Sequence, residues 1–255
     1  MNLKLINSHI VFLLIIVAGI GCNDKQKTKL FTKLSAAESG IAFSNDIHDN
    51  DSTYSFINEF GYMGGGAGIG DFNNDGLQDI FFTGNQVSCR LYINLGNNKF
   101  EDITEKAGVQ TNEWCTGVSV ADINNDGYDD IYVSTFGRDL RTRSKNLLFI
   151  NQHDLSFKEE AAAYGLADSG YSTQAVFLDY DRDGDLDMYL TNYLLSTKNG
   201  NAVFPRDRSG RSPANDRLYR NDGDSAKQGH PVFTDVSLEA GIKEDGYGLG
   251  GSVSD

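Results

Sequence analysis

Asp71-Phe-Asn-Asn-Asp75-Gly76-Leu-Gln-Asp79-Ile80 decides how this chain is read, because it recurs. Asp122-Ile-Asn-Asn-Asp126-Gly127-Tyr-Asp-Asp130-Ile131 and Asp179-Tyr-Asp-Arg-Asp183-Gly184-Asp-Leu-Asp187-Met188 align with it without gaps. A short run of small and apolar residues precedes each copy: Ala67-Gly-Ile-Gly70, Val118-Ser-Val-Ala121 and Ala175-Val-Phe-Leu178. A β-rich run follows each: Ile80-Phe-Phe-Thr83, Ile131-Tyr-Val-Ser134 and Met188-Tyr-Leu-Thr191. Two more matched runs complete the unit. They are Leu91-Tyr-Ile-Asn94, Leu147-Leu-Phe-Ile-Asn151 and Leu218-Tyr-Arg-Asn221, then Phe100-Glu-Asp-Ile-Thr104, Phe157-Lys-Glu-Glu160 and Phe233-Thr-Asp-Val-Ser237.

Each repeat thus offers four short β-type runs separated by turn residues. Four strands per unit at a period of about 50 residues is the pattern of a propeller blade. No segment shows the sustained apolar spacing that a two-helix solenoid needs. The expected fold is therefore all-β, a propeller of four-stranded blades, with the small residues of the first run nearest the central channel. Phe31-Thr-Lys-Leu34 through Gly40-Ile41 resembles the segment from Phe100 to Val109 and is expected to supply an outer strand. Gly248-Leu-Gly-Gly-Ser-Val-Ser-Asp255 resembles the approach to another acidic loop. Three blades and two partial ones do not close a ring, and the open edge points to a piece of a longer propeller.

The spacing Asp-x-(Asp/Asn)-x-Asp-Gly-x-x-Asp carries the chemistry. A tight loop turns side chains 1, 3, 5 and 9 toward one point, adds the carbonyl of residue 7, and uses Gly at position 6 for the sharp turn. The candidate ligands are Asp71, Asn73, Asp75, Leu77 (carbonyl) and Asp79 in the first loop. They are Asp122, Asn124, Asp126, Tyr128 (carbonyl) and Asp130 in the second. In the third they are Asp179, Asp181, Asp183, Asp185 (carbonyl) and Asp187. An all-oxygen set suits a hard cation of Ca²⁺ size, and the absence of His and Cys from the loops disfavours zinc. Solvated Asp/Asn turns are the plain alternative; three copies in matched context argue against it. An EF-hand needs Glu at position 12 and flanking helices, whereas position 12 is Phe82, Val133 and Leu190 in β-rich surroundings.

Charge points the same way. The chain of 255 residues holds 22 Lys+Arg against 36 Asp+Glu, a formal charge of -14. That balance argues against a nucleic-acid partner, which needs basic surface. It fits bound cations, because ten candidate carboxylates packed into three loops repel one another when no cation is present.

The first residues read as an address. Lys4 precedes an apolar run from Ile10 to Ile20, too short to span a bilayer, which needs roughly 20 residues. A basic start, a short apolar core and small residues before Cys22 resemble a bacterial lipoprotein signal, although Gly19 stands where an aliphatic residue is usual. Residues 1–21 are then the signal peptide, and 22–30 a lipidated Cys22 and polar tether. Residues 31–255 are the propeller repeats. The protein is expected to be exported, as an outer-membrane or cell-surface lipoprotein with only a lipid anchor in the membrane, or secreted if Cys22 carries no lipid. In an exported protein Cys89 and Cys115 can pair, a point the sequence leaves open.

The repeats resemble FG-GAP/VCBS repeats, the calcium-binding blades also found in integrin α-subunit propellers. The Phe-x-Asp-Ile-Thr and Leu-Tyr-Ile-Asn segments resemble a group of exported bacterial VCBS-repeat lipoproteins related to the cartilage acidic protein, which often continue into an ASPIC/UnbV domain. The resemblance covers roughly Phe31 to Asp255. It implies a seven-bladed ring, Ca²⁺ as the structural cofactor, and a role in binding or adhesion. It carries over no catalytic residue, and fold alone does not fix function.

Recognition is expected on the face opposite the acidic loops, where longer connections fall. Arg138, Arg141 and Arg143 lie in one, and Arg206, Arg208 and Arg211 in another. Trp114 is one of several aromatics at the entry to an inner strand, where it either rims the channel or packs between blades. Such a face suits a glycan or an anionic protein segment. No nucleophile elbow, His-Glu-x-x-His or phosphate loop appears, and His48, His153 and His230 sit in loop-like settings. The reading is a non-catalytic binding or adhesion module for a glycan or protein ligand. The competing reading is a propeller belonging to an extracellular carbohydrate-active enzyme.

Overall fold

The computed structural model describes residues 30–48, 63–137, 143–194 and 205–253. The signal and anchor expectations, Cys22 included, lie outside those residues, as do Arg138 and Arg141. The chain divides after Leu34 into two units. Residues 30–34, the described end of the first, are exposed and contain no strand. The outer strand expected there is not formed.

The second unit is built from three antiparallel four-stranded blades. Blade 1 holds β1 (Ala67–Gly70), β2 (Asp79–Phe82), β3 (Arg90–Asn94) and β4 (Phe100–Asp102). Blade 2 holds β5 (Cys115–Ala121), β6 (Asp130–Thr135), β7 (Leu147–Asn151) and β8 (Phe157–Glu159). Blade 3 holds β9 (Ser172–Leu178), β10 (Asp187–Asn192), β11 (Arg217–Asn221) and β12 (Phe233–Asp235). The three acidic loops each join the first strand of a blade to its second, with the register closed at Gly70–Asp79, Ala121–Asp130 and Leu178–Asp187. The all-β expectation and the four-strand unit therefore hold in all three blades.

The outer strands are shorter than the sequence runs imply. Each has three residues, and after β4 and β8 the chain enters a single helical turn. These turns are α2 (Thr104–Ala107) and α3 (Ala161–Tyr164). A matching turn, α1 (Ala36–Ser39), precedes blade 1 and is capped at its N-terminus by a reciprocal Ser35–Glu38 pair. Gly40, Gly108 and Gly165 end the three turns with left-handed φ of 85°, 74° and 78°. A Cβ on Gly40 would lie 2.2 Å from the Phe100 carbonyl oxygen, and one on Gly165 would lie 2.5 Å from that of Phe233. At Gly40 and Gly165 the turn thus presses its glycine against the following outer strand, where only hydrogen fits.

The core lies between successive blades. Phe72, Phe81, Leu91, Val109, Ile131, Val133 and Phe157 form one cluster, and Ile123, Tyr132, Leu148, Leu166, Met188, Leu190 and Phe233 form the next. The second residue of the first two acidic loops belongs to this core. Phe72 is fully buried with its ring edge-on to Phe157 at 5.8 Å, and Ile123 is buried in the second cluster. Burying a side chain of that size is worth about 1.5–3 kcal/mol. The first two loops are therefore anchored by packing at position 2, whereas Tyr180 of the third is exposed, and the acids at positions 1 and 5 stay unburied in all three. At the inner edge, small residues allow close approach. A Cβ on Gly66 would sit 3.1 Å from Val118, and one on Gly117 would sit 2.3 Å from the Thr173 carbonyl.

Candidate metal centre

The three loops share one backbone course. Position 4 adopts positive φ (Asn74 56°, Asn125 57°, Arg182 65°), and the glycine at position 6 does so as well (Gly76 85°, Gly127 88°, Gly184 99°). Asn tolerates that conformation through local hydrogen bonding; Arg182 occupies it without that help. The position 1 carboxylate is fixed by the turn it creates. Asp71 accepts the N–H groups of Asp75 (3.0 Å) and Gly76 (2.7 Å). Asp122 accepts those of Asp126 (2.9 Å) and Gly127 (2.7 Å), and Asp179 those of Asp183 (3.1 Å) and Gly184 (3.2 Å). Position 5 accepts the N–H of position 7: Asp75 from Leu77, Asp126 from Tyr128, Asp183 from Asp185. Leu77, Tyr128 and Asp185 thereby have their backbones held within the loop.

Position 9 behaves differently from the exposed acids. Asp79, Asp130 and Asp187 are buried at the start of the second strand. In each, one oxygen accepts the N–H of loop position 2 (Phe72, Ile123, Tyr180, all 3.0 Å). The other accepts the N–H that ends the third strand (Asn94 2.7 Å, Asn151 2.9 Å, Asn221 2.8 Å). This carboxylate staples the loop to the blade, a role the ligand spacing alone does not disclose. Its environment also disfavours the charge. Burial raises Asp130 to about 7 against those two hydrogen bonds, with further upward pressure from Asp126 and Asp122. Burial likewise raises Asp79 and Asp187 above the ordinary carboxylate range, helped by Asp75 and Asp71 in one loop and by Asp181 and Asp183 in the other. A cation at the loop would remove that penalty.

The third loop converges most fully. Asp179, Asp181 and Asp187 each bring a carboxylate oxygen to within 4.8 Å of the others. Hard oxygen donors so grouped fit a divalent cation that takes six to eight oxygens, and the residues present match the donor set such an ion requires. Asp183 remains at the loop, engaged with Asp185. In the first and second loops position 3 is an amide. Asn73 and Asn124 each donate to the position 5 carboxylate (2.9 and 2.8 Å) while their oxygens receive the position 5 N–H (both 3.2 Å).

Neighbouring blades contribute contacts that no motif announces. Asp129 accepts the Asp71 N–H at 3.0 Å, and Asn74 donates to the Gly127 carbonyl at 2.9 Å, joining the first loop to the second. Within blade 2, His153 stacks on Tyr128 (4.2 Å) and places Nε2 3.0 Å from Asp126. Burial pushes Asp126 up, but the His153, Asn124 and Tyr128 hydrogen bonds outweigh it and leave the carboxyl below its usual range. A cleft of about 700 Å³ opens between the second loop and blade 3, lined by Asp122, Asn124, Asp126, Asp185, Asp224 and His230 among others.

The opposite face is less open to ligands than its basic residues suggest. Arg206 and Arg208 both pair with Glu244, at 3.2 and 3.3 Å. Arg143 and Arg211 are exposed. Trp114 is buried, packed with Phe136 and Tyr171, so it is an interior contact and offers no rim to the channel. His48 hydrogen-bonds through its backbone to Gln86 and lies apart from the acidic loops.

Comparison with known proteins agrees with this geometry. Residues 71–133, the span from the first acidic loop into β6, match the model of the FG-GAP-like repeat. The chain is similar to cartilage acidic protein 1 of Mus musculus, 25% identical over 194 residues covering 75% of this chain and 27% of that protein. It is also similar to the human protein of that name, 25% identical over 197 residues covering 76% of this chain and 26% of that protein. Integrin alpha pat-2 of Caenorhabditis elegans is 33% identical over 102 residues, 36% of this chain and 8% of that protein. The chain thus spans about a quarter of the length of the cartilage acidic proteins it matches.

Proposed function

We propose that this chain, whose residues 71–133 carry the FG-GAP-like repeat, is a calcium-binding, non-catalytic propeller module that recognises a glycan or protein ligand outside the cell. The observation that carries the reading is the convergence of Asp179, Asp181 and Asp187 in a loop whose backbone course is repeated twice more. Ca²⁺ would be held by the side chains at positions 1, 3, 5 and 9 and the carbonyl at position 7. Bound there, it offsets the repulsion among the acids and ties the first strand of each blade to the second. The residues themselves do the rest: position 1 shapes the turn, position 2 packs between blades in the first two loops, and position 9 joins the loop to the third strand. No described side chain is committed to acid–base or nucleophilic work in this arrangement. Export is supported by the signal-like start and Cys22, and lipid attachment at Cys22 would leave the blades facing outward.

The test is a screen of the full chain against immobilised glycans and extracellular proteins, with millimolar calcium or with chelator. Calcium-dependent retention without any product is the expected result. Turnover of a glycan, or retention unchanged by chelator, would overturn the proposal.

A further inference from the structure

We propose that Cys89 and Cys115 form a disulfide that locks blade 1 to blade 2 on the face opposite the acidic loops. Cys89 immediately precedes β3 and Cys115 opens β5, so the pair spans the junction between two blades. Both side chains are fully buried, and both are free thiols in this structure. The Thr111 hydroxyl touches both sulfurs, lying 3.2 Å from Cys89 Sγ and 3.7 Å from Cys115 Sγ. The backbone around them is pinned on each side. Cys89 N–H donates to Thr111 Oγ1 (3.1 Å), Thr111 N–H to Ser88 Oγ (3.0 Å), and Cys115 N–H to the Gly84 carbonyl (3.0 Å).

The repeat supplies an independent ruler. Five residues before the asparagine that ends the third strand (Asn94, Asn151, Asn221) stand Cys89, Asn146 and Asp216. Cys115 and Ser172 open the following inner strands, and Gly248 holds the matching place in the sequence before Asp255. At the second junction these positions meet directly, with Asn146 Nδ2 donating to Ser172 Oγ at 2.8 Å. At the third, a Cβ on Gly248 would lie 3.4 Å from Asp216 Oδ1. The two positions are side-chain neighbours at the second junction and lie close together at the third, and in the first they are both cysteine. Hydrogen bonding with Cys89 and burial raise Cys115, while the same pairing makes Cys89 the more acidic thiol.

Bond formation follows thiol–disulfide exchange with a small-molecule disulfide. The thiolate of one cysteine attacks one sulfur of that oxidant and expels a thiolate, giving a mixed disulfide. The thiolate of the other cysteine then attacks the sulfur of the first and expels the second. The two cysteines are oxidised, the external disulfide is reduced to two thiols, and the two protons pass to those thiols. Because both sulfurs are buried, exchange takes place while the junction is still closing during folding. In the cell this rests on the export proposed above; in the test the oxidant is added, so its failure is separate from any failure of calcium or ligand binding.

The full chain is refolded with a mixture of glutathione and its disulfide, denatured without reductant, alkylated and digested. The expected result is one cross-linked peptide pair joining Cys89 to Cys115. Reduction should lower the thermal midpoint by about 5–10 °C. The double variant Cys89→Asn with Cys115→Ser copies the pair at the next junction and should show no response to reductant. Recovery of Cys89 and Cys115 as separate alkylated peptides, or of either joined to Cys22, would overturn the proposal. The peptide map of the unmodified chain decides the matter even if the variant fails to fold.

Discussion

Asp187→Ala should destabilise the metal-free protein whereas Asp181→Ala should not, although both residues belong to the same converging trio. Asp187 is buried and accepts the Tyr180 N–H at 3.0 Å and the Asn221 N–H at 2.8 Å. Removing its carboxylate leaves two backbone donors without acceptors. Each costs about 1–3 kcal/mol, so the variant should lose roughly 2–6 kcal/mol, less whatever is regained by removing a buried charge. Asp181 is exposed and makes neither bond. Its interaction is repulsion with Asp179 and Asp187 across no more than 4.8 Å. Water-screened repulsion at that distance is about 1 kcal/mol per pair. Asp181→Ala should therefore leave metal-free protein equal in stability or up to about 2 kcal/mol more stable. It should also diminish the stabilisation that calcium gives. The assay is urea unfolding of both variants and the parent, in chelator and in millimolar calcium. If Asp181→Ala in chelator lost as much stability as Asp187→Ala, or kept the full calcium increment, the division between a structural position 9 and a metal-facing position 3 would be refuted.

Two further outcomes are expected. Gly165→Ala puts a Cβ 2.5 Å from the Phe233 carbonyl at a φ of 78°, and should cost about 1–3 kcal/mol in an unfolding titration, whereas no loss would mean that the turn is free to shift. Asp130 gives a pH signature. Its folded value of about 7 lies above the ordinary 3.8, so its contribution to metal-free stability is fully present below 3.8 and is lost as pH rises through about 7. That shift corresponds to about 4 kcal/mol. Thermal melts in chelator should show this decline in the parent and a flatter profile in Asp130→Asn, while calcium should suppress it; parallel profiles for parent and variant would contradict the assignment.

The blades and loops were legible because both are written in local spacing. Position 6 must be glycine for the turn, β-rich apolar runs recur between the turns, and the acids recur in step. What escaped was decided between units. Phe31–Leu34 carries the composition of an outer strand, yet it forms none, and only the helical turn and Gly40 of that segment repeat the later pattern. The sequence marks Asp79, Asp130 and Asp187 as ligands. It does not show that each also joins two distant N–H groups, because those partners lie up to 34 residues away. Trp114 offered a rim and an interior reading, and the packing of Phe136 and Tyr171 against it selects the interior one. The cations of the longer connections were visible, but Glu244, which holds Arg206 and Arg208, comes from beyond β12.

The most direct measurement is a calcium titration of metal-free protein by calorimetry, with the thermal midpoint followed in parallel. The account predicts saturable binding in the millimolar range or tighter, lost stepwise on Asp75→Ala, Asp126→Ala and Asp183→Ala, and a midpoint that rises as the sites fill. No saturable heat, with identical melting in calcium and in chelator, would contradict it.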